Sequence, residues 1–202
     1  DWIRKAQRQG DFRDTVGSVL QSYGMPGVQP RHVVVVACGN GEVRDIRKAV
    51  RAVWPALKSA AVKSLRVQCV GPALQPRVIQ ALATELADAS YVYVSTLSKP
   101  ETRKLAQVVL GQAEVSAGHK AAMLQAQALV RGVELAKEWA NRPANHATPT
   151  HLAQAAKALG KKAGIQCKVL GPREVERLGM GAFMAVARGA VEPLRFIVLE
   201  YK

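Results

Sequence analysis

The sequence has few cysteines, few aromatics and no long apolar run. Each shortage removes a class of protein. The three cysteines, Cys38, Cys69 and Cys167, are far apart and odd in number, and no CxxC occurs. That spacing argues against a disulfide framework and against a clustered zinc site. Buried, reduced thiols in a cytosolic protein are the reading that remains. No apolar stretch approaches the roughly 20 residues a membrane helix needs, and no signal-peptide pattern stands out. Aromatic residues make up 5% of the 202 residues, so few rings are available to stack on single-stranded bases.

Acidic residues are also scarce. Fifteen Asp and Glu stand against 29 Lys and Arg, a formal net charge of +14. The acids do not cluster, so no paired-carboxylate acid/base site is evident. HExxH, DxD, GxSxG and GK[ST] are all missing. The histidines are His32, His119, His146 and His151. The last two are five apart, which does not stack them on one helix face as i,i+4 spacing does. No metal site is expected within this chain.

What is present reads as alternating strands and helices. A helix is possible over residues 2–9, and Gly24, Pro26, Gly27 and Pro30 mark a turn. HVVVVAC, residues 32–38, is a β-branched run suited to a strand buried on both faces of a parallel sheet. EVRDIRKAVRAVWPAL is helical: Ile46, Val50, Val53 and Leu57 form one apolar stripe, and Pro55 should kink or end it. A strand over residues 65–70, a helix opening at Pro76, a short strand YVYVS and a strand RKLAQVVLG follow. Residues 114–140 form the longest periodic piece. Ala126, Leu129, Val133, Ala136 and Ala140 share one face, and Gln127, Arg131, Glu134 and Glu138 lie opposite.

The stretch NRPANHATPTHLAQAAKALG then stops that helix. Pro143 lacks an N–H and biases Arg142 toward extended geometry. Thr148 can cap and Pro149 can take the first position of a new helix, with Leu152, Ala155, Ala156 and Leu159 as its buried face. Lys161 and Lys162 suit its last turn and Gly164 its end. IQCKVLG reads as a strand, PREVERLG and MGAFMAVARGA as short helices, and LRFIVLEYK as a strand. The expected fold is therefore α/β. A mixed, largely parallel sheet flanked by helices fills an amino-terminal domain over residues 1–113. A linker helix covers 114–140, and the first part of a second α/β domain covers 141–202. Both ends read as cut, so the whole protein is expected to be longer.

Two features outside the core bear on function. Cys38-Gly39-Asn40-Gly41 sits between a strand and a helix, where backbone amides can cradle a phosphate. The third glycine of GxGxxG is replaced by Arg44, however, and there is no GK[ST], so a tight strand-to-helix turn is the reading preferred. Arg44, Arg47, Lys48 and Arg51 form a basic stripe on one helix. It is either a solvated face or a contact for nucleic-acid phosphates.

The last third carries a more specific pattern. Asn141, Pro143 and Asn145 make an N-x-P-x-N knot, and Thr148-Pro149 opens a helix. Leu178 to Gly181 reads L-G-M-G; Ala185, Val186, Gly189 and Pro193 follow, and a strand ends in Glu200-Tyr201. In order and spacing this resembles the leucyl (cytosol) aminopeptidase family across about 60 residues. The resemblance implies an α/β amino-terminal domain, a bridging helix and the entry to a catalytic domain. It implies an intact protein that releases amino-terminal residues from peptides. Two divalent metals, Mn or Zn, would generate the nucleophilic water and polarise the scissile carbonyl. It also implies a cytoplasmic, hexameric protein acting on peptide substrates, with no membrane association.

The family's metal ligands and its catalytic lysine and arginine follow the E-Y strand, and Lys202 sits too early to be the liganding lysine. No catalytic, metal or substrate-binding residue is therefore assigned, no metal is expected on this chain, and the chain alone is expected to be inactive. The residues present would be structural. Pro143 and Pro149 would fix the domain entry, Gly179 and Gly181 would permit tight packing, and Phe196, Val198 and Leu199 would supply core strand. The competing reading, from the charge and the basic stripe, is a nucleic-acid-binding or scaffolding module.

Overall fold

A computed structural model describes residues 2–70, 74–112 and 114–201. The chain folds as two compact units. The first comprises Asp1–Val92 and Glu101–Leu135, the second Tyr93–Pro100 and Ala136–Lys202.

The first unit opens with α1 (Trp2–Gln9) and a hairpin of β1 (Val19–Tyr23) and β2 (His32–Val36). The two strands pair antiparallel, with Val19 opposite Val36 and Tyr23 opposite His32. Gly24 and Gly27 turn the chain with φ of +63° and +74°, and the Gly24 N–H closes the loop on the Arg31 carbonyl at 2.8 Å. The Tyr23 and His32 rings stack with centroids 4.3 Å apart. The valine run was expected to lie in a parallel sheet, buried on both faces. It is half-buried instead and pairs with a strand that its own turn brings back. Ala6, Phe12 and Ala37 form a small core beneath this hairpin, flanked by Leu20 and Val35.

The main core belongs to α2 (Val43–Ser59), β3 (Ser64–Gln68), α3 (Pro76–Ser90) and β4 (Gln107–Gly111). β3 and β4 pair in parallel, with Leu65 opposite Val108 and Val67 opposite Leu110. Ile46, Val50, Val78, Leu82 and Leu86 are buried together against Cys38, Leu65, Val67 and Leu110. All four residues of the expected α2 stripe are buried, from Ile46 at 4% to Val53 at 8% exposure. Each such aliphatic side chain contributes about 1.5–3 kcal/mol when fully buried. Pro55 lies inside α2, which continues past it to Ser59. Pro76 takes the first turn of α3, where its missing N–H costs no helical bond. The mixed α/β character thus holds, with one parallel and one antiparallel strand pair in this unit.

The stretch YVYVS is not a strand. Tyr91 has extended angles (φ −63°, ψ 136°), but residues 91–95 join none of the strand pairs. Local bonds organise them instead: the Tyr91 N–H reaches back to the Asp88 carbonyl, and the Tyr93 and Thr96 hydroxyls lie 2.9 Å apart. Alternating β-branched and aromatic residues favour a strand only where a partner edge exists.

α4 (Ala117–Ala140) is the longest helix, and the division between the units falls within it. Its buried residues are Ala122 and Ala126. The expected apolar face is largely uncovered: Leu129 is 56% and Val133 40% exposed. The opposite face holds the ion pairs. Glu134 accepts from Arg103 at 2.6 Å, and Glu138 pairs with Arg142 at 2.9 Å.

The second unit packs α5 (Pro149–Ala163) on an antiparallel pair, β5 (Gln166–Leu170) and β6 (Phe196–Glu200), with α6 (Pro172–Arg177) and α7 (Gly181–Ala187) between the strands in sequence. Thr148 caps α5 through its hydroxyl, Pro149 is the first helical residue, and Gly164 ends the helix with φ +66°. A Cβ on Gly160 would lie 2.7 Å from the Ile165 carbonyl oxygen, so this glycine lets α5 approach β5. The buried face of α5 is shifted from the expected one. Ala153 is 4% exposed, whereas Leu152 stands 38% exposed.

Candidate functional site

Three places answer to the sequence features singled out above: the domain-entry knot, the L-G-M-G segment with the groove beside it, and the basic stripe on α2.

The knot forms because α4 must stop. The Asn141 side-chain amide donates to the Lys137 carbonyl at 2.8 Å, as its backbone N–H does at 3.0 Å. One carbonyl at the helix end thus accepts two bonds from the same residue, without further helix. Arg142 turns back: its guanidinium lies 4.1 Å from the Trp139 ring centre and binds Glu138 through Nε and a terminal nitrogen. The Ser95 hydroxyl donates to the same Glu138 carboxylate. The Ser95 bond foremost, then Arg142, holds the Glu138 carboxyl below the ordinary range. Pro143, at φ −65° and ψ 156°, then leads into a single 3-10 turn, Ala144–His146. That short turn was not foreseen in the sequence.

The L-G-M-G segment joins α6 to α7. Gly171 precedes α6, and its N–H donates to the Glu174 carboxylate at 2.9 Å. Backbone N–H groups, that of Glu174 itself first and Gly171 next, lower the Glu174 carboxyl below its usual range. Gly179 then ends α6 with φ +66°, its N–H on the Glu176 carbonyl at 2.9 Å. A left-handed residue just past a helix end favours glycine. The expectation that Gly179 and Gly181 permit tight packing is corrected here. A Cβ at either one would meet no atom within 4 Å. Gly179 is needed for its backbone angle, not for space.

Beside this segment runs a groove of 460 Å³, lined by Pro172, Met184, Arg188, Val191 and Leu194 among others. Val186 and Val191 nearby are 89% and 103% exposed. Phe183 and Phe196 meet edge to face at 5.4 Å. Phe196 and Val198 are half-buried in β6, but Leu199 is 46% exposed, so the strand supplies less core than expected.

The basic stripe is brought together by the fold. Arg44, Arg47, Lys48 and Arg51 line one cleft of 620 Å³, joined by Arg77 from the start of α3 and by Glu42. Beneath them lies Glu85, 8% exposed, which the sequence reading did not single out. Arg51 Nε donates to its carboxylate at 2.5 Å, and Arg47 Nε lies 3.9 Å away. The bond to Glu85 raises the Arg51 pKa further. A signal was available: Glu85 falls on the same α3 face as Val78 and Leu82, an acidic residue within an apolar stripe.

The Cys38–Gly41 segment is a tight turn. Gly39 and Gly41 have φ of +54° and +72°, and the Gly41 N–H bonds the Cys38 carbonyl at 2.9 Å. Asp45 Oδ2 would lie 3.0 Å from a Cβ on Gly39, so a carboxylate already stands against this turn. Burial, and then Cys69, push the Cys38 thiol up; burial does the same to Cys69. Neither thiol is therefore activated as a nucleophile.

No three His, Cys, Asp or Glu side chains among the described residues are placed to hold a metal ion. The described residues thus do not fit the two-metal centre the resemblance implies. Lys202 lies outside them. Among the described residues, no helix is long and apolar enough to cross a membrane.

Comparison with known proteins matches two stretches of the chain. Residues 1–100 match the N-terminal domain of the cytosol aminopeptidase family, and residues 134–202 match the catalytic domain of the same family. The chain is 48% identical over 199 residues to a probable cytosol aminopeptidase of Albidiferax ferrireducens, covering 98% of this chain and 41% of that protein. It is 48% identical to a second, from Verminephrobacter eiseniae, covering 97% of this chain and 37% of that protein. Among solved structures it resembles the bottromycin maturation enzyme BotP in complex with Mn, with TM-score 0.80 and 25% identity over 98% of this chain and 42% of that one. A mutant of tomato leucine aminopeptidase shares the fold, with TM-score 0.82 at 23% identity over 96% of this chain and 40% of that one. The chain thus spans well under half the length of these relatives. With both family domains matched, in the family's order and over most of its residues, this chain belongs to the cytosol aminopeptidase family.

Proposed function

We propose that the protein carrying this chain is a metal-dependent aminopeptidase that releases amino-terminal residues from peptides. The observation that carries this reading is the pair of family matches, residues 1–100 and 134–202, joined in the second by the knot and the L-G-M-G segment. The similarity to BotP in complex with Mn supports divalent metal chemistry, and the proposal takes two ions, Mn or Zn. Such a pair supplies an activated water and a polarised carbonyl. No group of three or more His, Cys, Asp or Glu among the described residues is placed to hold a metal ion, and no step is assigned to them.

Their role is to build the amino-terminal domain and the entry to the catalytic one. Arg142, Glu138 and Ser95 lock the chain reversal, and Gly179 sets the turn between α6 and α7. A cytoplasmic location and a hexameric assembly go with this proposal.

The test uses a leucine anilide substrate with Mn²⁺. The full-length protein should hydrolyse it, and a chelator should abolish turnover. The chain of residues 1–202 alone should give no hydrolysis above a metal-only blank. Chelator-sensitive turnover by the chain would refute the assignment of the site elsewhere. A full-length protein inert on leucine and other amino-terminal anilides would refute the peptidase reading.

A further inference from the structure

We propose that the cleft between the first half of α2 and the start of α3 binds the phosphate backbone of a nucleic-acid duplex. Five cationic side chains converge on it: Arg44, Arg47, Lys48 and Arg51 from α2, and Arg77 from α3. They are exposed; the side chains of Arg44, Arg47 and Arg51 are 93%, 53% and 69% accessible. Four acidic residues of the neighbourhood, Glu85, Asp45, Glu42 and Asp88, offset part of this charge, Asp88 being exposed on α3 and close enough to act on Arg51. Glu85 lies below the cations and is engaged by the Nε atoms of Arg51 and Arg47. That leaves the outer N–H donors of both forks free to face the cleft. Asp45, 16% exposed, lies 3.9 Å from Arg44, and Glu42 lines the cleft with the cations. Lys48 and Arg77 form no salt bridge among the described residues.

The shape and chemistry of the lining select the ligand. Arg44 to Arg51 spans seven residues of helix, about 10 Å at 1.5 Å per residue. Phosphates recur about every 3.4 Å along one strand of a duplex, so the stripe matches about three of them. No aromatic ring lines the cleft, so it offers no platform for unstacked bases. No exposed large hydrophobic residue lies in the lining either, so the cleft lacks the apolar anchors of a membrane-inserting surface. What remains is sequence-independent phosphate contact by a row of guanidinium and ammonium groups.

The experiment is fluorescence anisotropy of a labelled 20-base-pair duplex with the full-length protein across a salt series. Three neutralised phosphates give a slope of log K against log salt of about −3, or about 40-fold weaker binding at 200 mM than at 50 mM salt. The triple variant Arg44→Gln, Lys48→Gln, Arg77→Gln, which leaves Arg47 and Arg51 in the cleft, should take away about three fifths of the slope while the melting temperature holds. The double variant Lys48→Gln, Arg77→Gln, which removes no salt bridge among the described residues, should take away about two fifths of it. A charge-matched triple, Lys58→Gln, Lys63→Gln, Arg66→Gln, should leave the slope in place. Equal loss in the two triples would overturn the proposal in favour of diffuse attraction by net charge. Absence of duplex binding at 50 mM salt would overturn it too. So would tighter, cleft-dependent binding to phosphatidylserine vesicles, or displacement of the duplex by inorganic phosphate at equal phosphate concentration. Failure here leaves the peptidase reading standing, because the anilide assay does not depend on the cleft.

Discussion

α2 and α4 are both amphipathic in sequence, and the fold treats them in opposite ways. In α2 the apolar stripe Ile46, Val50, Val53, Leu57 is buried, and the basic residues stand outside over a single buried acid. In α4 the stripe containing Leu129 and Val133 is largely exposed, while the charged side is half-buried in ion pairs. Periodicity names a face that is apolar. It does not say whether anything covers that face. α2 has α3 packed against it, and their shared core rests on residues of β3 and β4. α4 buries two alanines and is held by polar bonds at Gln125, Glu134 and Glu138.

The largest effect should separate the two helices directly. Ile46→Ala removes a side chain from the α2 core and should cost about 2–5 kcal/mol. Leu129→Ala on the open face of α4 should change stability by no more than about 0.5 kcal/mol. Denaturant melts of the chain measure both. A Leu129→Ala cost close to that of Ile46→Ala would break the comparison, because the face would then be covered in solution.

The next effect lies on the polar side of α4. Arg103 donates to Glu134 at 2.6 Å and to the carbonyls of Ala87 at 2.8 Å and Ser90 at 3.1 Å. It ties the end of α3 to α4. Arg103→Ala should cost about 1 kcal/mol, toward the upper end for a partly exposed pair, because two carbonyls lose their donor as well. Arg103→Lys should recover little of it, since an ammonium cannot make three bonds in the directions of a fork. Full recovery by lysine would reduce the contact to simple charge attraction.

Much of the layout was legible in the sequence. The helices at Trp2–Gln9 and Pro76–Ser90, the Thr148 cap and the Gly164 stop all lie where periodicity and capping chemistry place them. What escaped was whatever depends on distant partners. The valine run found an antiparallel neighbour in VLQSY, a stretch too mixed to announce a strand. YVYVS found none and stayed irregular. Leu152 and Leu199 read as core but are partly exposed, because only packing decides which member of an apolar face is covered. The basic stripe was visible as four residues of one helix. Arg77 and Glu85 joined it only when α3 came alongside. The proposed metal chemistry rests on family resemblance and not on any side chain of the described residues.

The smallest effect tests the same contrast through pH. Ser95 and Arg142 hold the Glu138 carboxyl below its ordinary value in the folded chain. A carboxyl with a depressed folded pKa contributes stability only while it is ionised. The contribution is therefore fully present above the unfolded value of about 4.3 and is lost as pH falls through the lower folded value. The pair is partly exposed, so its size is about 0.5 kcal/mol or less. Glu138→Gln should lower the melting temperature slightly at pH 7, and the gap to the parent chain should close as both are taken into the acid range below the unfolded value. High salt should narrow the gap at pH 7, since the screening length shrinks to about 3 Å at 1 M. The Ile46→Ala deficit should change little with either treatment, because that core contact carries no charge. A Glu138→Gln gap that persisted unchanged in acid would mean that the side chain serves by shape alone, and α4 would then be held by packing after all, as α2 is.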